Sequence, residues 1–306
     1  MENQLVLVTG ASGGTQGATG NRLTHLLREK GIPVRAFVHK EDERSSALRE
    51  IGAEIFVGDL LSIQAVREAM KGVAKVYFCY PVQAGLLEAT AILAQAAREE
   101  GVKFIFHLSL GASSDTSLSP WGRKMWLSEK ILDWSEIPNF HLRAAPFFEN
   151  LFRQFSRGIQ EDSEIRAPFG SGDGKVPAIA AQDVSRLALA ALLNPASFAG
   201  KASQLFTSNI SLNELAQQLT ALLGRTIRYR EISSEEWINE TIDREGGTNQ
   251  EGRDHLVSLW KIILLLNQNQ ELMAAMSQGH RLFQMMTNEP PTPLSEWISI
   301  NFERER

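Results

Sequence analysis

Directly after a short apolar run, Leu5 to Val8, the chain reads GASGGTQGATG over residues 10–20 and then settles into a helical period. The run is continuous rather than alternating, which is how a strand buried on both faces reads. Leu23, Leu26 and Leu27 fall at i, i+3 and i+4, and that pattern stops at Gly31 before Pro33. The glycine cluster is therefore the turn from a buried strand into an amphipathic helix. Glycine at such a turn permits positive φ and brings backbone N–H groups close to a pyrophosphate, while the helix N-terminus behind it carries positive dipole charge.

The alternation continues. Val34 to Val38 reads as a strand, Ser46 to Ile51 as a helix, Glu54 to Val57 as a strand and Ile63 to Met70 as a helix. Val76 to Phe78, the helix Leu86 to Glu100, and Phe104 to Leu108 extend the series. Strands alternating with helices imply right-handed crossovers and an α/β fold, a Rossmann-type doubly wound parallel sheet. Beyond residue 150 the rhythm loosens. A Gly-rich stretch, Phe169 to Gly174, precedes Val176 to Ile179 and a helix from Gln182 to Leu193, so the sheet is expected to be completed by about residues 175–205. Ser211 with Glu214, and Ser233 with Glu236, have capping-box spacing, and GGTNQEGR from Gly246 to Arg253 reads as a mobile loop. Trp260, Leu264, Met273, Met276, Phe283, Met285 and Met286 recur at helical spacing, as core or as the lining of a pocket for a flat apolar ligand. Over 306 residues the expected division is a dinucleotide domain at 1–150 and a smaller, mostly helical substrate lobe at 151–306, interleaved with the sheet.

Composition removes several classes of function. A net charge of −5 is not that of a surface that coats nucleic acid. The single cysteine, Cys79, rules out a disulfide within the chain and a cysteine-rich metal cluster, which suits a reducing cytosol. The longest apolar run, Leu187 to Leu193, is far short of the roughly 20 residues of a membrane-spanning helix, and the N-terminus opens into strand rather than a signal-type segment. Neither HExxH nor HxxxH occurs, against a metal centre. The expectation is a cytoplasmic protein that binds a small molecule, with no membrane, nucleic-acid or metal partner.

Two glycine registers compete for the pyrophosphate. Gly10, Gly13 and Gly17 are unevenly spaced, whereas Gly14, Gly17 and Gly20 give GxxGxxG lying directly against the helix. The second is favoured for the helix contact, with Gly10 and Ser12 kept for the turn and Thr15 and Gln16 within an enlarged loop. Cofactor choice is read about 20 residues after the last glycine, where an acidic residue would hold the ribose hydroxyls of NAD and repel a 2′-phosphate. His39 and Lys40 stand there instead, and cations suit NADP(H) over NAD(H). Arg35 is a lesser helper, and Glu41 and Asp42 close by leave open a merely solvated charge run. Asp59 and Leu60, closing the third strand, are placed to meet the adenine side. Cys79, Tyr80 and Pro81 follow the fourth strand, and Ser109 and Leu110 end the fifth, where strand C-termini face a ligand.

VTGASGGTQGATG, the GDL at Gly58 to Leu60, HLSLGA from His107 to Ala112, LRAAPFFEN from Leu142 to Asn150 and PFGSGDGKVPAIAAQDV over 168–184 together resemble the NmrA-like branch of the atypical short-chain dehydrogenases. The tail ending in SEWISIN is similar as well. The resemblance implies NADP(H) far more firmly than a reaction, because such relatives include quinone, aryl-propenyl and alkaloid-imine reductases and also redox-sensing regulators that bind dinucleotide without turning it over. It implies that Pro146 and Phe147 pack near the nicotinamide, with Phe148 and Glu149 toward the substrate; interdomain core is the other reading of the two phenylalanines.

Short-chain dehydrogenases commonly carry Tyr-x-x-x-Lys, the lysine holding the nicotinamide ribose and lowering the tyrosine's pKa so that it protonates a carbonyl oxygen. Registering this chain on that pattern puts Trp121 at the tyrosine and Met125 at the lysine, and neither transfers a proton. Lys124 is a weak substitute, one helical step of 100° off the required face. Losing the acid costs a ketone reduction roughly 10²- to 10⁴-fold in rate, whereas a quinone's hydride adduct is a delocalised phenolate that water protonates afterwards and an iminium is neutralised by hydride alone. The type 2 quinone oxidoreductases of the family similarly dispense with the lysine. The expected activity is hydride transfer from NADPH to a flat, electron-poor acceptor such as a quinone, enone or imine; the alternative is a non-catalytic NADP(H)-binding sensor acting through a protein partner.

Overall fold

The computed structural model describes residues 4–14, 17–244, 247, 249–269 and 278–302; Thr15, Gln16, Met273 and Met276 lie outside them. The chain forms two compact units. The first takes residues 1–115, 122–144 and 181–204, and the second takes 116–121, 145–180 and 205–306. Among the described residues no helix is long and apolar enough to cross a membrane.

The first unit is an α/β Rossmann-type sheet. Its parallel strands are β1 (Leu5–Thr9), β2 (Val34–Val38), β3 (Glu54–Val57), β4 (Val73–Phe78), β5 (Phe104–Leu110) and β6 (Asn139–Ala144). They alternate with α1 (Thr19–Glu29), α2 (Glu43–Glu50), α3 (Ile63–Met70), α4 (Leu86–Glu100) and α5 (Pro120–Trp134). Of the later strands β7 (Glu164–Ala167), β8 (Lys175–Ala178) and β9 (Lys201–Leu205), only β9 joins this sheet, giving the order β3-β2-β1-β4-β5-β6-β9. The order reverses between β1 and β4, so the crevice at their C-terminal ends is the switch point where such sheets take ligands. Leu7, Val76, Phe78 and Ile105 are fully buried, as strands covered by helices on both faces require.

In the second unit α6 (Phe148–Glu161) packs with two small sheets, β7 with β11 (Arg228–Glu231) and β8 with β10 (Ser208–Ser211). Its core gathers Phe148, Phe152, Phe155, Ile210, Leu215, Trp237, Ile263 and Trp297. Besides α6 it contains α8 (Leu212–Leu223), α9 (Ser234–Arg244), α10 (Gln250–Gln268), α11 (Gly279–Thr287) and α12 (Leu294–Phe302), while α7 (Ala181–Leu193) belongs to the first unit.

Four sequence expectations are corrected. Helix α2 begins at Glu43, not Ser46, because the Asp42 side chain accepts from the N–H groups of Arg44 and Ser45 while Ser45 Oγ accepts from the Asp42 N–H, a capping box inside a charge run. The segment at 176–179 pairs antiparallel with β10 rather than extending the main sheet. Gln250 to Arg253 are not loop but the first turn of α10, with Asn249 Oδ1 accepting from the Gly252 N–H. Met285 is 79% exposed, so it is neither core nor a pocket wall, whereas Phe283 is fully buried.

Candidate functional site

The turn after β1 is shaped for close backbone approach. Gly10, Gly13 and Gly17 all have positive φ, and a Cβ on Gly10 would lie 2.7 Å from Cys79 Sγ. Gly20, in the first turn of α1, sits against β1 itself: a Cβ there would lie 2.6 Å from the Thr9 carbonyl oxygen and 2.8 Å from that of Gly10. Gly14 has open space around it and no positive φ. The steric demand for glycine thus falls on 10, 13, 17 and 20, and Gly14 has no such demand in the favoured triplet. Ser12 is half-buried within the same turn.

Helix α1 is left open at its N-terminus. Ala18 precedes it in the left-handed region with no side-chain cap, and its first turn holds no acidic residue, whereas α2, α3 and α8 are capped by Asp42, Ser62 and Ser211. The first-turn N–H groups of a helix have no intrahelical partner, and with the positive end of the dipole they suit an anion such as a pyrophosphate. The turn is held from behind by residues absent from the sequence reading. Tyr77 Oη donates to Thr19 Oγ1 at 2.8 Å, and Ser185 Oγ on α7 donates to the Thr19 carbonyl at 2.9 Å.

At the end of β2, His39 and Lys40 are exposed. Arg35 is not available as a helper, because it donates to Glu54 and to the carbonyls of Ala69 and Lys71. The cation that reaches the glycine turn is Arg44, whose Nη1 donates to the Gly13 carbonyl at 3.1 Å while Nε and Nη2 hold Asp42. That guanidinium, with the Ser45 and Arg44 N–H groups, holds the Asp42 carboxyl below its usual range. Glu41 pairs with Arg49. Glu41 and Asp42 are thus paired with Arg49 and Arg44, and His39 and Lys40 stand exposed at the end of β2.

Asp59 Oδ1 accepts from the Leu61 N–H at 2.9 Å, closing the turn after β3, and Leu60 and Tyr80 pack partly on the core of the first unit. Pro81 is exposed. Thr9 Oγ1 bridges the Cys79 N–H and carbonyl, both at 2.8 Å, tying the end of β4 to β1. Burial pushes the Cys79 thiol up to about 11. Near neutral pH its thiolate fraction is then on the order of 10²-fold below that of a free cysteine. Iodoacetamide labelling at neutral pH is expected to be slower by that factor than labelling of glutathione, and to accelerate as the pH approaches about 11. Labelling as fast as glutathione would contradict this burial.

At the ends of β5 and β6, Ser109 is bound rather than free: its hydroxyl donates to Glu129 Oε1 at 2.5 Å, beside Ser113 Oγ at 2.7 Å and an Arg143 pair reaching 2.6 Å. Leu110 ends the strand beside it. Trp121 and Met125 are both buried at the start of α5, and Lys124 is half-buried next to them.

In the second unit Ile179 N–H donates to the Pro146 carbonyl and Phe147 bridges Ile179. Phe148 has no exposed surface and packs edge-on against Trp297, so it is core and not an open face for substrate. Glu149 Oε1 accepts from Trp297 Nε1 at 3.2 Å, a structural use of the carboxylate. Ser119 Oγ and His255 Nδ1 lie 2.7 Å apart, and burial pushes the imidazole down to about 4, keeping it neutral. A separation of 136 residues leaves no sequence signal for the pair. The open grooves beside α8, lined by Gln218, Leu222 and Ile298 or by Asp173, Asn213 and Arg228, contain none of the expected site residues.

Residues 2–297 match the NmrA-like family. An NAD(P)H azoreductase from Xenophilus azovorans is 30% identical over 239 residues, 76% of this chain and 78% of that one. Among solved structures, the NADPH-dependent quinone oxidoreductase of Escherichia coli complexed with NADPH has a TM-score of 0.77 at 22% identity, covering 98% of this chain and 100% of that one. The triphenylmethane reductase of Citrobacter sp. complexed with NADP(H) has a TM-score of 0.77 at 22% identity, covering 97% and 99%. At such identities the two structures speak to the fold. Fold, glycine turn and the match along nearly the whole length agree: the chain is a member of the NmrA-like family.

Proposed function

We propose that this chain is an NADP(H)-dependent reductase that passes hydride to a flat, electron-poor acceptor of the quinone, enone or imine class. The observation that carries the reading is the uncapped N-terminus of α1 behind a turn whose glycines a Cβ would obstruct, with a cationic cluster at the end of β2. These residues fit a phosphorylated dinucleotide. The N–H groups of the turn and of α1 would hold the pyrophosphate, and His39, Lys40 and Arg44 the 2′-phosphate. When bound, the reduced nicotinamide ring supplies the hydride. The protein's contribution is orientation and exclusion of water, since Trp121 and Met125 offer no proton and the acceptor must carry its own charge after reduction. Relatives named as an azoreductase and a quinone oxidoreductase support this acceptor class.

The test is to mix the protein with NADPH and a panel of quinones, enones, imines and azo dyes while following the nicotinamide absorbance band. Turnover well above the uncatalysed rate is expected. Clear NADPH binding with no turnover of any acceptor would overturn the reductase reading in favour of a dinucleotide-responsive binding protein. A charge-assisted hydrogen bond to phosphate contributes about 1.5–3 kcal/mol, so Arg44→Gln is expected to weaken NADPH by about 10-fold or more and NADH little. Charge reversal of His39 and Lys40 should discriminate in the same direction. Equal losses for both cofactors would remove the 2′-phosphate assignment.

A further inference from the structure

Glu129 is a nearly fully buried carboxylate, 1% exposed. It projects from α5 and accepts from four donors. Oε1 takes Ser109 Oγ, Ser113 Oγ and Arg143 Nε at 2.5, 2.7 and 3.0 Å, and Oε2 takes Arg143 Nη2 at 2.6 Å and Nε at 3.2 Å. Burial works to raise its pKa, but Arg143, Ser109 and Ser113 outweigh that and hold it below the ordinary value, so it is an anion at neutral pH. Each donor sits at a particular place in the fold. Ser109 is the penultimate residue of β5 and Arg143 the penultimate residue of β6. Ser113 closes the turn after β5, its N–H donating to the Leu110 carbonyl at 2.9 Å. The same turn is pinned at Gly111, whose N–H donates to the Ala144 carbonyl and whose carbonyl accepts from Gln204 Nε2. One carboxylate thus joins α5, two strand ends and the turn between β5 and α5.

A dinucleotide crossing the switch point has its pyrophosphate at the β1 turn. Its two halves then lie on opposite sides of β1, the adenosine half over β2 and β3 and the nicotinamide half over β4 and β5. We propose that Glu129 is a positioning residue for the nicotinamide half, acting through Ser109 and Ser113 to set the turn after β5 against which that half lies. It rests on the dinucleotide reading above. A carboxylate serves where an amide would not, because four donors converge on its two oxygens and an amide would present N–H to one of them.

The halves of the ligand separate this role from a general loosening of the fold. Adenosine 2′,5′-bisphosphate carries the adenine, ribose and 2′-phosphate contacts but has no nicotinamide. Titrating wild type, Glu129→Gln and Ser113→Ala with NADPH and with this fragment reads the two sides independently of turnover. Loss of one or two net hydrogen bonds' worth of positioning predicts NADPH binding weaker by about 10-fold in Glu129→Gln, a smaller loss in Ser113→Ala, recovery in Ser113→Thr, and fragment binding within about twofold of wild type throughout. Ser113→Ala keeps the Glu129–Arg143 pair and so stays testable if the glutamine variant folds poorly. Equal weakening of NADPH and fragment, or no change in either, would overturn the proposal. Failure of wild type to bind both would overturn the dinucleotide reading and the proposal with it.

Discussion

Gly20→Ala is expected to destabilise the first unit by about 3 kcal/mol, at the upper end for a small-to-large change in a packed interior, and to abolish measurable NADPH binding. The added Cβ would sit 2.6 Å from the Thr9 carbonyl oxygen, 2.8 Å from the Gly10 oxygen and 2.9 Å from the Gly10 carbonyl carbon, all backbone atoms that no rotamer change can move. Relief requires α1 to retreat from β1. That retreat also carries away the uncapped N–H groups at the start of the helix and breaks the support Thr19 receives from Tyr77 and Ser185. Gly14→Ala is the matched control. It has open space and ordinary φ, so its effect on stability should stay within about 0.5 kcal/mol. Urea denaturation and fluorescence titration with NADPH measure both quantities, and a Gly20→Ala protein as stable and as tightly binding as Gly14→Ala would refute the close-packed turn.

The contrast between those two glycines also shows what a sequence discloses. The β/α alternation was readable because parallel strands covered on both faces are rich in apolar residues: β1 is a nearly continuous run, and β2 to β5 keep apolar stretches around Arg35, Glu54, Lys75 and His107. β9 was not, since KASQL at the sheet edge buries only Leu205 among its five residues and carries no period. The glycine turn was legible as a turn, but which glycines it needs depends on what lies opposite, here Thr9, Gly10 and Cys79. Arg44 was hidden inside HKEDER because charge alone does not reveal that Asp42 caps α2 and swings the guanidinium toward Gly13. Glu129 needed three dimensions altogether: its partners stand 16 and 20 residues before it and 14 after, on separate elements. Trp121 and Met125 could be registered on a family pattern, yet that Glu129 continues their helical face at the next i+4 step has meaning only once Ser109 is seen to lie beneath it.

Folding stability is expected to fall steeply as the pH drops below about 6.5, well before the carboxylates titrate, because of a histidine pair in the first unit. His107 and His141 lie side by side on β5 and β6 with their Nδ1 atoms 3.0 Å apart, both almost fully buried. The protons can be placed from the partners. His141 Nε2–H donates to Asp133 Oδ1 at 3.1 Å, so its Nδ1 accepts, and His107 Nδ1–H donates to it. His107 Nε2 then faces Ser128 Oγ at 3.5 Å, itself beside Thr90. A proton added to His141 Nδ1 would oppose two N–H groups, and one added to His107 would charge a ring stacked on Phe78 with no carboxylate in contact. Burial pushes His107 well below its ordinary 6.5, and burial also lowers His141 despite the opposing pull of Asp133 and Glu129, with Arg143 adding to the lowering. Lys130 pairs with the same Asp133 and draws on its charge. With folded values depressed, the unfolded chain binds more protons below 6.5, so the stabilisation is complete above that pH and is lost as the pH falls. Each silent proton contributes a slope of about 1.4 kcal/mol per pH unit, and the pair at most ~2.7, falling toward half that once His141 takes up its proton. His255, also held neutral down to about 4, adds a third such proton, so in urea titrations across this range His107→Asn, whose amide can still donate toward His141, should show about two-thirds of the wild-type slope. A wild-type stability that stays flat from neutral pH down to the onset of carboxylate titration would contradict the pairing.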